Sequence, residues 1–149
     1  MDSFPHRYRV TAVAGTDGEI VLESDGLQSL RTAMPEEFGG PGDRWSPETL
    51  FVAAIADCYA LTFRGLAKRS KLAWTSLVCE VVGTLDRNDH VTRFVEFDVR
   101  ARLQVPEGAS EDLARRLLVK AEETCLVTRS LTGETRVHVS IETVVPQVV

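Results

Sequence analysis

The stretch "SPETLFVAAIADCYALTF", Ser46 to Phe63, predicts one long helix around which the rest of the chain must fold. Ser46 is a typical N-cap, Pro47 suits the first helical position, and Glu48 complements the helix dipole in the first turn. The apolar character continues beyond the quoted residues, and we expect the helix to end near Lys68. Because so little of such a helix is polar, we expect the protein to wrap it on most sides.

Short strands are predicted before this helix. The segment "YRVTAVAG" (8–15) alternates in side-chain character, "GTDG" (15–18) is a turn, and "EIVLES" (19–24) leads to a second turn at Asp25 and Gly26. This pattern is typical of a meander of small strands. The glycine-rich connector "PEEFGGPGDRW" (35–45) predicts no regular structure, and it lacks the lysine that a phosphate-binding P-loop requires.

Two long strands, a helix and a last strand are predicted after it. "TSLVCEVVGTLD" (75–86) places Leu77, Cys79, Val81 and Leu85 on one face, and "RNDH" turns the chain into "VTRFVEFDVRARLQV" (91–105). In the second segment apolar residues alternate with polar ones, which predicts one buried and one exposed face. The predicted inward residues are Val95, Phe97, Val99, Ala101, Leu103 and Val105. Ser110 is a cap for the helix in "EDLARRLLVKAEETC" (111–125). Cys125 lies four residues after Ala121 on the apolar stripe of this helix, so we expect it to face the core. "TRVHVSIETVV" (135–145) closes the chain as a strand. The order predicts a single α+β domain over residues 1–149, with an antiparallel sheet packed against helices.

Composition excludes several functional classes. The formal charge is −5 and no tract is dense in lysine or arginine, so we expect no nucleic-acid partner. The start "MDSFPHRYRV" does not have the order of a signal peptide, and no run of eighteen apolar residues is present, so we expect a cytoplasmic protein that does not enter a membrane. The three cysteines and three histidines lack metal-ligand spacing, which argues against a metal site.

Several segments, in order, resemble the OsmC/Ohr family of osmotically inducible and organic-hydroperoxide-resistance proteins. They are "FGGPGDRWSPE", the helix around Cys58, "GTLDR", "TRFVEFDVRARLQVPEG" and the helix that leads into "CLVTRSL" at Cys125. The resemblance covers nearly the whole chain. It implies an OsmC/Ohr-like fold of antiparallel sheets around a long buried central helix, assembled as an intertwined homodimer.

The resemblance also implies a thiol peroxidase that needs no metal or flavin cofactor. By position, Cys58 would be the peroxidatic thiol and Cys125 the resolving one. A thiolate attacks the O–O bond of an organic hydroperoxide, becomes a sulfenic acid, and condenses with the second thiol to a disulfide. An external thiol reductant, as in relatives that use dihydrolipoyl proteins, would then restore both thiols.

A buried thiol needs a nearby positive group to ionise, and the family uses an arginine oriented by a glutamate. Glu48 matches the glutamate, and Arg31 and Arg44 are the candidate arginines, with Arg31 preferred because it lies in a strand-like stretch. Glu48 and Cys58 are ten residues apart, which is roughly 15 Å along a helix. We therefore favour a site to which two subunits contribute.

Other interpretations of the same residues stay open. Cysteine packs as a small hydrophobe, and core packing is the more frequent role of Cys79 and of aromatic side chains that we considered for a substrate pocket, namely Phe38, Trp45, Phe51, Tyr59 and Phe63. Asp57 opposes ionisation of a neighbouring thiol unless it faces elsewhere, for example towards Arg64. The alternative functions are a dimeric acyl-ligand-binding module and a hot-dog-like thioesterase, both with structural cysteines.

Overall fold

The computed structural model describes residues 3–147, which form two compact units that divide between Phe51 and Val52. The first unit contains β1 (Thr11–Val13), β2 (Ile20–Glu23), β3 (Leu30–Thr32) and the start of α1 (Pro47–Arg69). The second contains the rest of α1 and then β4 (Ser76–Asn88), β5 (Val91–Pro106), α2 (Glu111–Thr124) and β6 (Glu134–Val144). This mixed α+β architecture confirms the predicted fold class, whereas a single domain over residues 1–149 stays a prediction.

The first unit is the predicted meander. Strands β1, β2 and β3 pair in sequence order, and both pairings are antiparallel. The prediction of a connector without regular structure was wrong in one detail, because Glu36–Phe38 forms a single 3₁₀ turn. The turn ends at Gly39, whose φ of 89° lies in the left-handed region that glycine adopts without strain.

Helix α1 begins as the sequence predicts. The amide of Thr49 donates to the side-chain oxygen of Ser46 at 3.1 Å, and the amide of Ser46 donates to the hydroxyl of Thr49 at 2.8 Å. These two bonds satisfy donors that the helix itself leaves unpaired. The helix ends at Arg69, one residue beyond the predicted end near Lys68.

Only one stripe of α1 is buried within a single chain. The buried side chains are spaced four residues apart and are Ile55, Tyr59, Phe63 and Ala67. In the most apolar window of the helix 22% is buried, and Leu61 is 52% exposed, so the expectation of a helix wrapped on most sides was wrong for one chain. By length and composition alone α1 is able to cross a membrane, which is also true of core helices in soluble proteins.

The second unit contains a three-stranded sheet in the order β4, β5, β6. β4 and β5 form an antiparallel hairpin that turns at Asp89 and His90, both at positive φ. β6 pairs with β5 in parallel, which corrects the prediction of a wholly antiparallel sheet. The reason is that α2 forms a crossover between β5 and β6, so the chain enters both strands from the same end.

The inward faces of β4 and β5 match the predicted alternation with two exceptions, Leu85 and Val95. Leu77, Cys79 and Val81 pack against the core, but Leu85 is 37% exposed. The register of β4 against β5 shifts between Thr84 and Leu85, which moves Leu85 off the inward face. On β5 Val95, which lies at the same register shift, is half-buried. The other predicted inward residues are buried, namely Phe97, Val99, Ala101, Leu103 and Val105.

Candidate active site

Cys58 lies midway along α1 and is half-buried. The next residue, Tyr59, is buried in the core, and its hydroxyl donates a 2.7 Å hydrogen bond to the carbonyl oxygen of Leu118 on α2. Burial raises the pKa of Tyr59 far above its ordinary value, so the phenol remains a donor at neutral pH. This bond joins α1 to α2 directly beside the candidate thiol.

Cys125 follows the last residue of α2 and is fully buried, as the helical stripe predicted. Its amide donates to the carbonyl of Glu122 at 3.3 Å. Its own carbonyl accepts from the amide of Arg129 and from the hydroxyl of Thr128, both at 3.1 Å. The backbone of Cys125 is therefore held from both sides.

Cys58 and Cys125 influence each other's pKa, and the two pKa values move in opposite directions. Burial raises the pKa of Cys58, but hydrogen bonds outweigh it, and the net pKa is lowered; the donors, largest effect first, are Cys125, the amide of Val127, Thr62 and the amide of Leu126. Burial, more than any other cause, raises the pKa of Cys125. Of the two thiols, Cys58 is therefore the one that ionises at the lower pH.

The third cysteine lies on the inward face of β4. Burial raises the pKa of Cys79 to about 11, and the charge of Cys125 contributes in the same direction. A thiol with that pKa is almost entirely protonated near pH 7. Cys79 therefore lies near Cys58 and Cys125, but its pKa is raised whereas that of Cys58 is lowered.

Thr62 is a site residue that the sequence reasoning missed. Its hydroxyl lies 4.0 Å from the sulfur of Cys58 and donates to the carbonyl of Cys58 at 2.7 Å. The available signal was its spacing, since a residue four positions after a helical cysteine lies on the same face of the helix.

The predicted pairing of Glu48 with an arginine is not present among residues 3–147. Arg31 and Arg44 both bind Glu19, at 3.1 and 3.0 Å, and Arg44 also contacts Asp43 at 3.2 Å. The hydrogen bond from Arg31 is the main reason that the pKa of Glu19 is lowered. The side-chain oxygen Oε2 of Glu48 is buried and has no hydrogen-bond partner in the described part of the chain.

The remaining candidate residues differ in how far they are exposed to solvent. Tyr59 and Phe63 are core residues, whereas Phe38, Trp45 and Phe51 are exposed by 51%, 49% and 38%. Asp57 is exposed, and within residues 3–147 it forms no ion pair with Arg64. In the same described range, no three histidine, cysteine, aspartate or glutamate side chains cluster as metal ligands would.

Comparison with known families and structures gives a consistent result. The family model for OsmC-like proteins matches residues 40–140. The protein YmaD of Bacillus subtilis (strain 168) is 28% identical over 131 residues, which are 86% of this chain and 87% of that protein.

Two solved structures show the same fold. An OsmC-like protein from Vibrio cholerae superimposes with a TM-score of 0.83 at 17% identity, over 91% of this chain and 100% of that one. An organic hydroperoxide resistance protein OsmC from Legionella pneumophila, also described as a predicted redox protein and regulator of sulfide bond formation, has a TM-score of 0.71. It is 27% identical, and the match covers 93% of this chain and 98% of that one.

Proposed function

Because this chain belongs to the family of OsmC-like proteins, we propose that it is a cysteine-based peroxidase that reduces organic hydroperoxides. A relative of known structure is named for organic hydroperoxide resistance, which supports a role of this chain in peroxide defence. The observation that carries the proposal is the interacting pair of thiols, one with a lowered and one with a raised pKa.

The reaction has two steps. The thiolate of Cys58 attacks the outer oxygen of the hydroperoxide, the O–O bond breaks, and the released alkoxide takes a proton from solvent to become an alcohol. Cys58 is then a sulfenic acid. Cys125 attacks its sulfur, the S–O bond breaks, and the hydroxide leaves with the proton of Cys125 as water, so that a disulfide remains.

We propose that an external dithiol reduces this disulfide and that the protein works in the cytoplasm without a metal or flavin. The disulfide would lie beside Leu126, which is 74% exposed, and this apolar side chain suits a reductant with an apolar arm. A dihydrolipoyl protein has this chemistry. The preferred reductant is found by following peroxide consumption with dithiols and with monothiols.

A homodimer is the assembly that we propose. The uncovered apolar surface of α1, with Leu61 52% exposed, supports a partner subunit over that helix. In the same proposal one arginine, Arg31 or Arg44, oriented by Glu48, supplies the positive charge near the thiolate. Sedimentation equilibrium should give twice the mass of one chain, and a monomer at micromolar concentration would contradict the assembly.

Mass spectrometry of the unreduced protein tests the peroxidase directly. After one equivalent of cumene hydroperoxide, we expect a disulfide between Cys58 and Cys125 in the natural protein and in the Cys79→Ser control. The Cys58→Ser variant should retain its remaining thiols. Unreacted thiols in the natural protein would refute the proposal and would favour a ligand-binding module or a thioesterase.

A further inference from the structure

The face of α1 opposite to its buried stripe is open to solvent in a single chain. Its exposed side chains recur at alternating intervals of three and four residues and are Ala54, Asp57, Leu61, Arg64 and Lys68. At about 100° of rotation per residue, all of them lie within about 60° of Leu61 around the helix axis. This outer stripe has the spacing of a seam at which two helices pack together.

Two opposite charges lie on the outer stripe at nearly equal distances from Leu61. Asp57 precedes Leu61 by four residues and Arg64 follows it by three, which is roughly 6 Å and 4.5 Å along the axis. Both lie on the same side of Leu61, rotated from it by about 40° and 60°. Because roughly 10 Å of rise separates the two charges, they do not reach each other within one helix. Among residues 3–147 neither of them forms an ion pair.

A second copy of the chain is the partner that this pattern fits. When two copies of α1 pack antiparallel about a two-fold axis at Leu61, residues at equal distances before and after Leu61 face each other. Asp57 then lies against the partner's Arg64, and the symmetry repeats this contact. At both ends of the seam Lys68 lies opposite the partner's small Ala54. A parallel pair would instead place Asp57 against Asp57 and Arg64 against Arg64, which repel.

We infer that Asp57 and Arg64 form reciprocal ion pairs between two copies of α1 and so fix these helices antiparallel, with Leu61 at the two-fold axis. The inference rests on the proposed homodimer and specifies the register of its contact. The apolar members of the outer stripe supply the affinity. The charges supply the orientation, because a polar group within an apolar seam disfavours the registers in which it has no partner.

The same contact removes an obstacle to the chemistry of Cys58. Asp57 precedes Cys58 directly, and an unpaired carboxylate close to a thiol opposes its ionisation. In the dimer the partner's Arg64 neutralises this carboxylate. Around the helix Cys58 is rotated from Leu61 by about 60° to the side opposite Asp57, so the ion pair does not cover the sulfur.

The test reverses the two charges singly and together. Asp57→Arg makes both positions positive and Arg64→Asp makes both negative, so each single variant meets like charges twice in a homodimer. Sedimentation equilibrium should give a dissociation constant raised about tenfold for each contact, or about a hundredfold in total. The double variant restores opposite charges and should dimerise like the natural protein. The matched control is Arg116→Asp, which makes the same change on an exposed position of α2 and should leave the dissociation constant unchanged.

Mixing the two single variants tests the contact between chains directly. Equal amounts are unfolded together in urea, refolded and analysed by native mass spectrometry, which separates the three dimers by mass. We expect the mixed dimer in about tenfold excess or more over either homodimer, because only the mixed dimer has opposite charges at both contacts. This result does not require either single variant to fold alone. The natural protein mixed with Arg116→Asp is the control and should give statistical proportions.

The inference and the homodimer on which it rests fail in different ways. If the natural protein sediments as a monomer at micromolar concentration, the homodimer is wrong and the inference falls with it. If the natural protein is a dimer but the mixed single variants give statistical proportions, the homodimer survives and the ion pairs do not. A double variant that dimerises as weakly as the single variants would also overturn the ion pairs.

Discussion

The thiol pair, Cys58 and Cys125, and the arginine cluster, Arg31 and Arg44 with Glu19, are two polar regions that are held in different ways. Cys125 is fully buried, and a buried hydrogen bond between Tyr59 and Leu118 joins the two helices that carry the thiols. The arginine cluster is a set of surface ion pairs, in which the side chain of Arg31 is 70% exposed.

The difference shows what fixes the position of a reactive group. Side chains on packed helices are placed by the core, so replacing a core residue also moves or loosens the site. Exposed ion pairs contribute little to stability and exchange partners easily, because water and salt compete for each charge. Substitutions in the core should therefore destabilise the region of the thiol pair. Substitutions within the arginine cluster should change the stability of the fold little.

The largest expected effect is that of Leu118→Ala. Leu118 is fully buried, and its removal should lower the free energy of unfolding by about 2–5 kcal/mol through lost apolar burial and a residual cavity. Urea denaturation measures the loss. The control is Val119→Ala, because Val119 is 40% exposed on the same helix and should change stability by less than about 0.5 kcal/mol. Equal losses would mean that the core does not hold this region.

The second prediction concerns the pH dependence of alkylation in the reduced protein. At pH 8 a thiol with a pKa of about 11, like Cys79, is ionised in roughly one molecule in a thousand. The pKa of Cys58 is lowered from 9.0, so more than about a tenth is ionised at that pH. Because thiolates alone react and a thiolate of lower pKa is intrinsically less nucleophilic, iodoacetamide should label Cys58 about tenfold faster or more, as read by peptide mass spectrometry.

Denaturant supplies the control for this selectivity. In concentrated guanidinium chloride the three cysteines lose their different surroundings, and their labelling rates should converge. A folded protein in which Cys79 reacts as fast as Cys58 would show that burial does not separate the two thiols.

A smaller effect is expected from Tyr59→Phe. The variant removes the 2.7 Å hydrogen bond to Leu118 and retains the ring, so the free energy of unfolding should fall by about 1 kcal/mol. Tyr8→Phe is a matched control, because Tyr8 is 93% exposed and its hydroxyl is open to water. If both variants unfold at the same urea concentration, the bond between α1 and α2 contributes nothing.

The smallest effect is expected from Glu19→Gln. The hydrogen bond from Arg31 lowers the pKa of Glu19 from 4.5, so its stabilising contribution is present above that pH and is lost as the pH falls through the lowered value. Since the ion pair is exposed, Glu19→Gln should lower the midpoint temperature of thermal unfolding at pH 7 little more than the control Glu37→Gln, which replaces another exposed glutamate. At pH 2 the variant and the natural protein should unfold at the same temperature. A large loss at pH 7 would contradict the view that this cluster is tolerant.

Much of the fold was predictable from particular residues. Ser46 and Ser110 marked the two helix starts, and the alternation along β5 identified its buried face, because caps and periodicity act over a few neighbouring positions. The inward position of Cys125 followed from its place four residues after Ala121. Such local signals cannot specify the shift that exposes Leu85 or the partner that an exposed arginine selects.

The sequence by itself determined the helices, most of the strands, the inward positions of Cys79 and Cys125 and the resemblance to the OsmC/Ohr family. The tertiary structure alone decided that β6 runs parallel to β5, that Cys58 and Cys125 interact, and that Glu19 binds both arginines. It also decided which thiol ionises first. The physical reason is that pKa values depend on burial and on donors from distant segments, and these are defined only when the segments pack together.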